Sequence, residues 1–217
     1  MIEVFLEFHN LLFKGFFTTL KLLGAIMLVG IPLGVLVGVL GGRYSKTVSR
    51  FVHGLKFFTK IVPVLVLLFW LHFPLQALLG VVIDPFWTTV FALGFVNMVA
   101  TAYVVQSELT LLPRSYSDAG MTLGMSKQQV VHHIELPIMF RRIIPDIILN
   151  QAAMLEYTLF ASLISVSELF RVSQTINSMI YDPIAVYSLL VLFFIAILAP
   201  MHLLVLYLGK KYKTQYV

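Results

Sequence analysis

Side chains able to do chemistry are few in this 217-residue chain, and two groups of them stand out. The first is a polar series inside an otherwise apolar stretch: Asp146, Asn150, Gln151, Glu156, Tyr157 and Thr158. An ionised carboxylate in such a setting costs several kcal/mol unless it faces water or a partner, so Glu156 needs a reason to be there. At about 100° per residue, Asp146, Asn150 and Tyr157 share one strip of a helix, while Gln151, Thr158 and Ser162 form a second. Two roles fit Glu156. It can line a solute path and favour a cationic group, or it can fasten helices by hydrogen bonding, with His72 or Asn97 as partner. Asp146, close to Arg141 and Arg142, reads as half of a structural ion pair.

The second place is the polar segment Ser117 to Pro137, SDAGMTLGMSKQQVVHHIELP. Ser115 followed by Asp118, and Ser126 followed by Gln129, have the spacing of capping boxes. Gly124 lies between them and can take the left-handed conformation that ends a helix. The expectation is a helix near Tyr116 to Leu123, a sharp turn, and a second helix near Lys127 to Leu136 stopped by Pro137. His132, His133 and Glu135 are metal-ligand types, but they lack the His-Glu-x-x-His spacing and read as a solvated helix face, so no metal site is expected. The chain has no G-x-x-x-x-G-K-[ST] loop, and no nucleophile, base and orienting group assemble from its residues. It reads as a non-enzyme without cofactors. A helix-turn-helix of this outline can bind DNA, but its place between apolar stretches excludes nucleic acid.

The elements that carry these residues follow from hydropathy. With 59% hydrophobic and 12% charged residues and a mean hydropathy of +0.95, the chain has more apolar surface than one soluble core can hide, so the bilayer is its solvent. Five stretches suit spans of about 20 residues: Leu22 to Gly42, Ile61 to Ile83, Pro85 to Ser107, Ile143 to Ser167, and Pro183 to Gly209. Glycines at 24, 30, 34 and 38 suit close helix packing in the first, and Pro74 marks a kink in the second. Hydropathy alone leaves the fourth stretch ambiguous because of its carboxylates, and the charge distribution resolves it. With five spans, twelve of the fifteen lysines and arginines fall on one side: Arg43, Lys46, Arg50, Lys56, Lys60, Arg114, Lys127, Arg141, Arg142, Lys210, Lys211 and Lys213. The positive-inside rule makes that side cytoplasmic, with the N-terminus outside and the C-terminus inside. Met1 to Asn10 is acidic and has neither a basic n-region nor a cleavage site, so no cleaved signal peptide is expected. The absence of cysteine excludes disulfides and thiolate metal sites. The expected fold class is therefore an all-α membrane protein: five transmembrane helices in one domain, residues 1–217, with a helix-turn-helix between spans three and four.

The segment resembles the cytoplasmic signature of the permease subunits of bacterial ABC importers, and within them the polar amino-acid class. Asp118-Ala119-Gly120, Gly124 and Ile134-Glu135-Leu136-Pro137 stand at that signature's spacing, with Asp for Glu and Gly for the second Ala. Ser167-Glu168-Leu169-Phe170-Arg171-Val172-Ser173-Gln174 is similar to the stretch that follows the fourth span in this class, and Ala102-Tyr103, Leu112-Pro113 and Asn150 also fit. The resemblance implies a multi-pass protein of the bacterial inner membrane working as a dimer with a second permease copy or a related permease. Cytoplasmic ABC ATPase subunits and an extracytoplasmic substrate-binding protein would complete the system. It also implies that Asp118, Ala119, Gly120, Gly124, Leu136 and Pro137 couple ATPase closure to the membrane helices. Two departures concern substrate handling: Lys60-Ile61-Val62-Pro63 replaces Arg-Gly-Thr-Pro, and Glu156-Tyr157-Thr158-Leu159 replaces Lys-Asp-Thr-Ser with one residue missing. The cargo is therefore left open among amino acids, methionine or an organic cation, and a non-transporting scaffold or channel subunit is the alternative from another class.

Overall fold

The structure, a computed structural model, describes residues 1–213. Ten α-helices follow one another among them: α1 Ile2–Val39, α2 Lys46–Ile61, α3 Val64–His72, α4 Pro74–Leu79, α5 Pro85–Leu111, α6 Arg114–Thr122, α7 Lys127–Val130, α8 Leu136–Tyr157, α9 Leu169–Ile180 and α10 Pro183–Lys213. Wide π-type turns at Leu40–Tyr44 and Val131–Glu135 extend α1 and join α7 to α8, and a tight 3₁₀ segment, Thr158–Ile164, extends α8. Four helical stretches are long and apolar enough to cross a membrane: Ile2–Tyr44, Pro85–Leu111, Lys127–Ile164 and Pro183–Tyr212.

The first helix begins twenty residues before the expected span. Hydropathy falls at Lys14 and Lys21, but both are exposed, while Leu12, Gly15, Thr19, Leu22, Ile26, Gly30, Gly34 and Gly38 form one buried stripe at helical spacing. The stripe changes partner along its length. Leu12 joins Leu169, Val172 and Ile176 of α9 and Val186 of α10 in one apolar cluster, whereas Gly30, Gly34 and Gly38 lie against α5. A Cβ on Gly30 would sit 2.7 Å from the Cβ of Asn97, one on Gly34 2.6 Å from that of Thr101, and one on Gly38 2.7 Å from the Ala102 carbonyl oxygen. Only hydrogen permits that approach, so α1 and α5 pack backbone to backbone.

The expected second span, Ile61 to Ile83, holds α3 and α4, and together with α2 these make one bent candidate for a fifth span. Pro63 takes an extended conformation (φ −57°, ψ 134°), and α2 meets the α3–α4 pair at 93°. The basic residues 46–60, which read as loop, instead form α2, whose N-cap Ser45 accepts from the Val48 amide at 3.2 Å. Pro74 starts α4 after a break at Phe73, as the kink expectation required. Span three starts at the Asp84 cap, whose carboxylate accepts from the Phe86 amide. Span four starts earlier than the expected Ile143 to Ser167 and ends three residues short of it, at Ile164, while span five covers the expected stretch and extends beyond it.

Two amides lock the interior. Asn97 of α5 donates to Gln151 Oε1 at 3.0 Å, and Gln151 of α8 donates back to Asn97 Oδ1 at 3.1 Å. Both side chains are buried, and together they satisfy polar groups that would be costly alone in this setting.

Candidate functional site

The polar segment folds as two short helices around a turn, but its details differ from the expectation. Helix α6 starts at Arg114 with Pro113 as its N-cap and no side-chain cap, so the Ser115–Asp118 box does not form. Pro113 supplies the fixed φ and extended ψ that a helix start needs, which moves the start one residue ahead of Ser115. The second box does form: Ser126 Oγ accepts from the Gln129 amide at 3.3 Å, and Gln129 Oε1 accepts from the Ser126 amide at 2.8 Å. Between the helices Gly124 has φ +82°. Its amide reaches the Met121 carbonyl at 3.0 Å, and the Met125 amide the Gly120 carbonyl at 3.1 Å, the two bonds of a Schellman end.

Pro137 does not stop the second helix. The wide turn Val131–Glu135 shifts the hydrogen-bond ladder just ahead of it, with the Leu136 amide bonded to the Val131 carbonyl. Pro137 then occupies the first turn of α8, where its missing N–H is tolerated. The helical path from α7 therefore runs unbroken into span four.

The six residues of the signature do not share one surface. Asp118, Ala119, Gly124 and Pro137 are exposed, Gly120 is buried and Leu136 half-buried. Gly120 is the inward contact of α6: a Cβ there would meet Ile134 Cδ1 at 2.8 Å and Val130 Cγ2 at 2.9 Å. Leu136 packs on Val105, Leu109 and Met139 at the Leu111 end of α5. The outward face of α6, with Asp118 and Ala119, is exposed.

His132 and His133 lie on the solvated face, as expected, but Glu135 does not. It is only 5% exposed. Arg43, in the turn that ends α1, pairs with one of its carboxylate oxygens, and Ser117 of α6 donates to the other at 2.7 Å. Arg43 also donates to the Leu109 carbonyl at 2.6 Å, capping the last turn of α5. One residue back, Glu108 of α5 pairs with Arg142 of α8. In the sequence, Arg43 counts only toward the positive-inside excess. The available signal was a lone arginine directly after an apolar run, which requires an anionic partner when its helix end is buried.

The polar series of span four is divided. Gln151 and Thr158 are buried, the first paired to Asn97 and the second donating to the Leu155 carbonyl at 2.6 Å. Asn150 and Tyr157 are half-buried, and the Tyr157 ring stacks on Phe160. Glu156 is exposed at the last turn of α8. The fastening role is overturned for both expected partners, because His72 faces Thr88 and Gln76, and Asn97 faces Gln151.

Residues 30–214 match the family described as binding-protein-dependent transport system inner membrane component. The chain belongs to that family. This permease is 26% identical to the arginine ABC transporter permease protein ArtQ of Haemophilus influenzae, over 89% of this chain and 90% of that one. Its fold superposes on an amino acid ABC transporter structure with a TM-score of 0.84 at 18% identity, covering 95% of this chain and 96% of that chain. On the MetNI methionine ABC transporter the TM-score is 0.68 at 19% identity, covering 93% and 98%. It is a multi-pass inner-membrane permease of an ABC importer.

Proposed function

We propose that this permease carries a polar amino acid by alternating access, driven by a separate ATPase that docks on α6. One observation carries the reading: α6 leaves Asp118 and Ala119 exposed while Gly120 fixes its other face to a helix continuous with span four. A load placed on α6 would therefore be transmitted into the membrane. The basic excess on the side of Arg43, Lys127 and Arg142 supports a cytoplasmic position for α6, with the N-terminus outside and residues 1–217 acting as one transmembrane domain. Leu136 and Pro137 continue the same path. The missing nucleotide loop and the family's description support dependence on ABC ATPase subunits, an extracytoplasmic binding protein and a second permease.

The polar amino-acid class is supported by the closer fold match at 0.84 and by the arginine permease among its relatives. Glu156, exposed at the end of α8, is the group that would favour a cationic cargo, with Asn150 and Tyr157 lining the same half-buried region. Gln151 and Thr158, turned inward, hold that helix in place. The test is binding of arginine, lysine, histidine, glutamine and glutamate to the reconstituted complex, comparing wild type with Glu156→Gln. Loss of cationic ligands alone supports the assignment, and equal binding by both proteins removes Glu156 from the site.

A further inference from the structure

Building on the proposed docking at α6, we infer that Arg43, Glu135 and Ser117 form the joint by which a displacement of α6 reaches the α1–α5 pair. Both oxygens of the buried Glu135 carboxylate are occupied by donors from different elements: Ser117 in the first turn of α6, and Arg43 in the turn ending α1. The second contact of Arg43, to the Leu109 carbonyl, adds α5 to the same node.

The remaining hold on α6 is apolar. Gly120 lies against Val130, at the end of α7, and Ile134, in the wide turn that joins α7 to α8. Hydrogen bonds to a charged group are directional, so Ser117–Glu135–Arg43 resists the sliding that apolar packing permits. A buried ion pair is a poor source of stability compared with apolar residues of similar volume, whereas it specifies a geometry well. The glycine stripe then makes α1 and α5 move together, since Gly34 and Gly38 meet the Met98 and Ala102 carbonyls of α5 directly. A push on α6 is thereby divided, one branch passing into α8 through the continuous helix and the other into α1–α5 through Glu135. The three residues touch no solute. They are positioning residues.

The experiment uses the permease reconstituted with its ATPase and binding protein, and reads solute moved per ATP hydrolysed in Glu135→Ala, Glu135→Gln and the exchanged pair Arg43→Glu with Glu135→Arg. Glu135→Ala should lower that ratio about tenfold while ATP hydrolysis stays within about twofold, and the exchanged pair should recover part of the loss. Glu135→Gln should stay near wild type, because its amide can accept from Arg43 and donate to Ser117. A purely structural role predicts instead that both rates fall together and the ratio holds. The second measurement needs no ATPase: spin labels at the exposed Met121 and Leu111 in the permease alone should give a narrow distance distribution that broadens in Glu135→Ala. An unchanged ratio, or an unchanged distribution, in that variant overturns the joint. If no ATPase docks on α6, the proposed function fails, and the spin-label result still decides the joint separately.

Discussion

Replacing Gly34 with alanine places a methyl carbon 2.6 Å from the Thr101 Cβ and 2.7 Å from the Met98 carbonyl oxygen. One of those neighbours is backbone, so no rotamer change can relieve the contact, and α1 must move away from α5. Separation by about 1 Å along the stripe also loosens Gly30 against Asn97 and Gly38 against Ala102, and overpacking of this kind costs about 1–3 kcal/mol. Gly24, in the same helix, has nothing within 4 Å of its added Cβ. Alanine there should be neutral or gain up to about 1 kcal/mol of helix propensity. Thermal unfolding in nanodiscs reads the contrast directly. At about 2–4 °C per kcal/mol for a chain of this size, Gly34→Ala should unfold several degrees below wild type and Gly24→Ala at or above it. Equal melting temperatures for the two variants would refute backbone contact between α1 and α5.

Other outcomes follow from the same geometry. Asn97→Leu leaves the Gln151 Oε1 without its donor and should cost about 1–3 kcal/mol, while adding Gln151→Leu should recover much of it, because an apolar pair needs no partners; a double-mutant cycle measures the difference. Glu168, buried at the N-cap of α9 between spans, has its carboxyl pushed from 4.5 up to about 7 by burial, against the pull of the Phe170 and Arg171 amides. A raised carboxyl pKa means the folded state holds the proton longer, so the stabilisation is complete below about pH 4.5 and is lost as pH rises through about 7. Melting curves from about pH 5 to about pH 8 should therefore fall in wild type and flatten in Glu168→Gln, and parallel slopes would dismiss the carboxyl as their cause. Gly124→Ala forces a side chain to adopt φ +82° and should cost about 1–2 kcal/mol, read as faster proteolysis between α6 and α7 without loss of the membrane-inserted protein.

Much of this architecture could be read directly from residue types. Spans three and five are long stretches without charge, span four follows once the basic residues are placed on one side, and Gly124 ends its helix where an unstrained left-handed position is needed. Other features were hidden for physical reasons. Lys14 and Lys21 interrupt hydropathy yet point away from the stripe, so the first half of α1 was missed. The cations of α2 resemble a loop, although they occupy the exposed sides of a helix. Pro137 looked like a stop because a wide turn ahead of it leaves no signature in composition. Ser165 ends the 3₁₀ segment with φ 74° and without glycine, so that boundary carried no mark. Glu135 was assigned to solvent because its partners, Arg43 and Ser117, lie 92 and 18 positions away.

An ATPase acting on α6 is proposed to drive amino-acid uptake. Uptake of labelled arginine and glutamine into proteoliposomes holding the assembled complex, with and without ATP on the α6 side, tests it most directly. ATP-dependent accumulation of at least one of the two is expected, abolished by Gly124→Trp while the permease remains inserted and bound to its partners. Undiminished uptake in that variant, or ATP hydrolysis with no uptake of either amino acid in wild type, would contradict it.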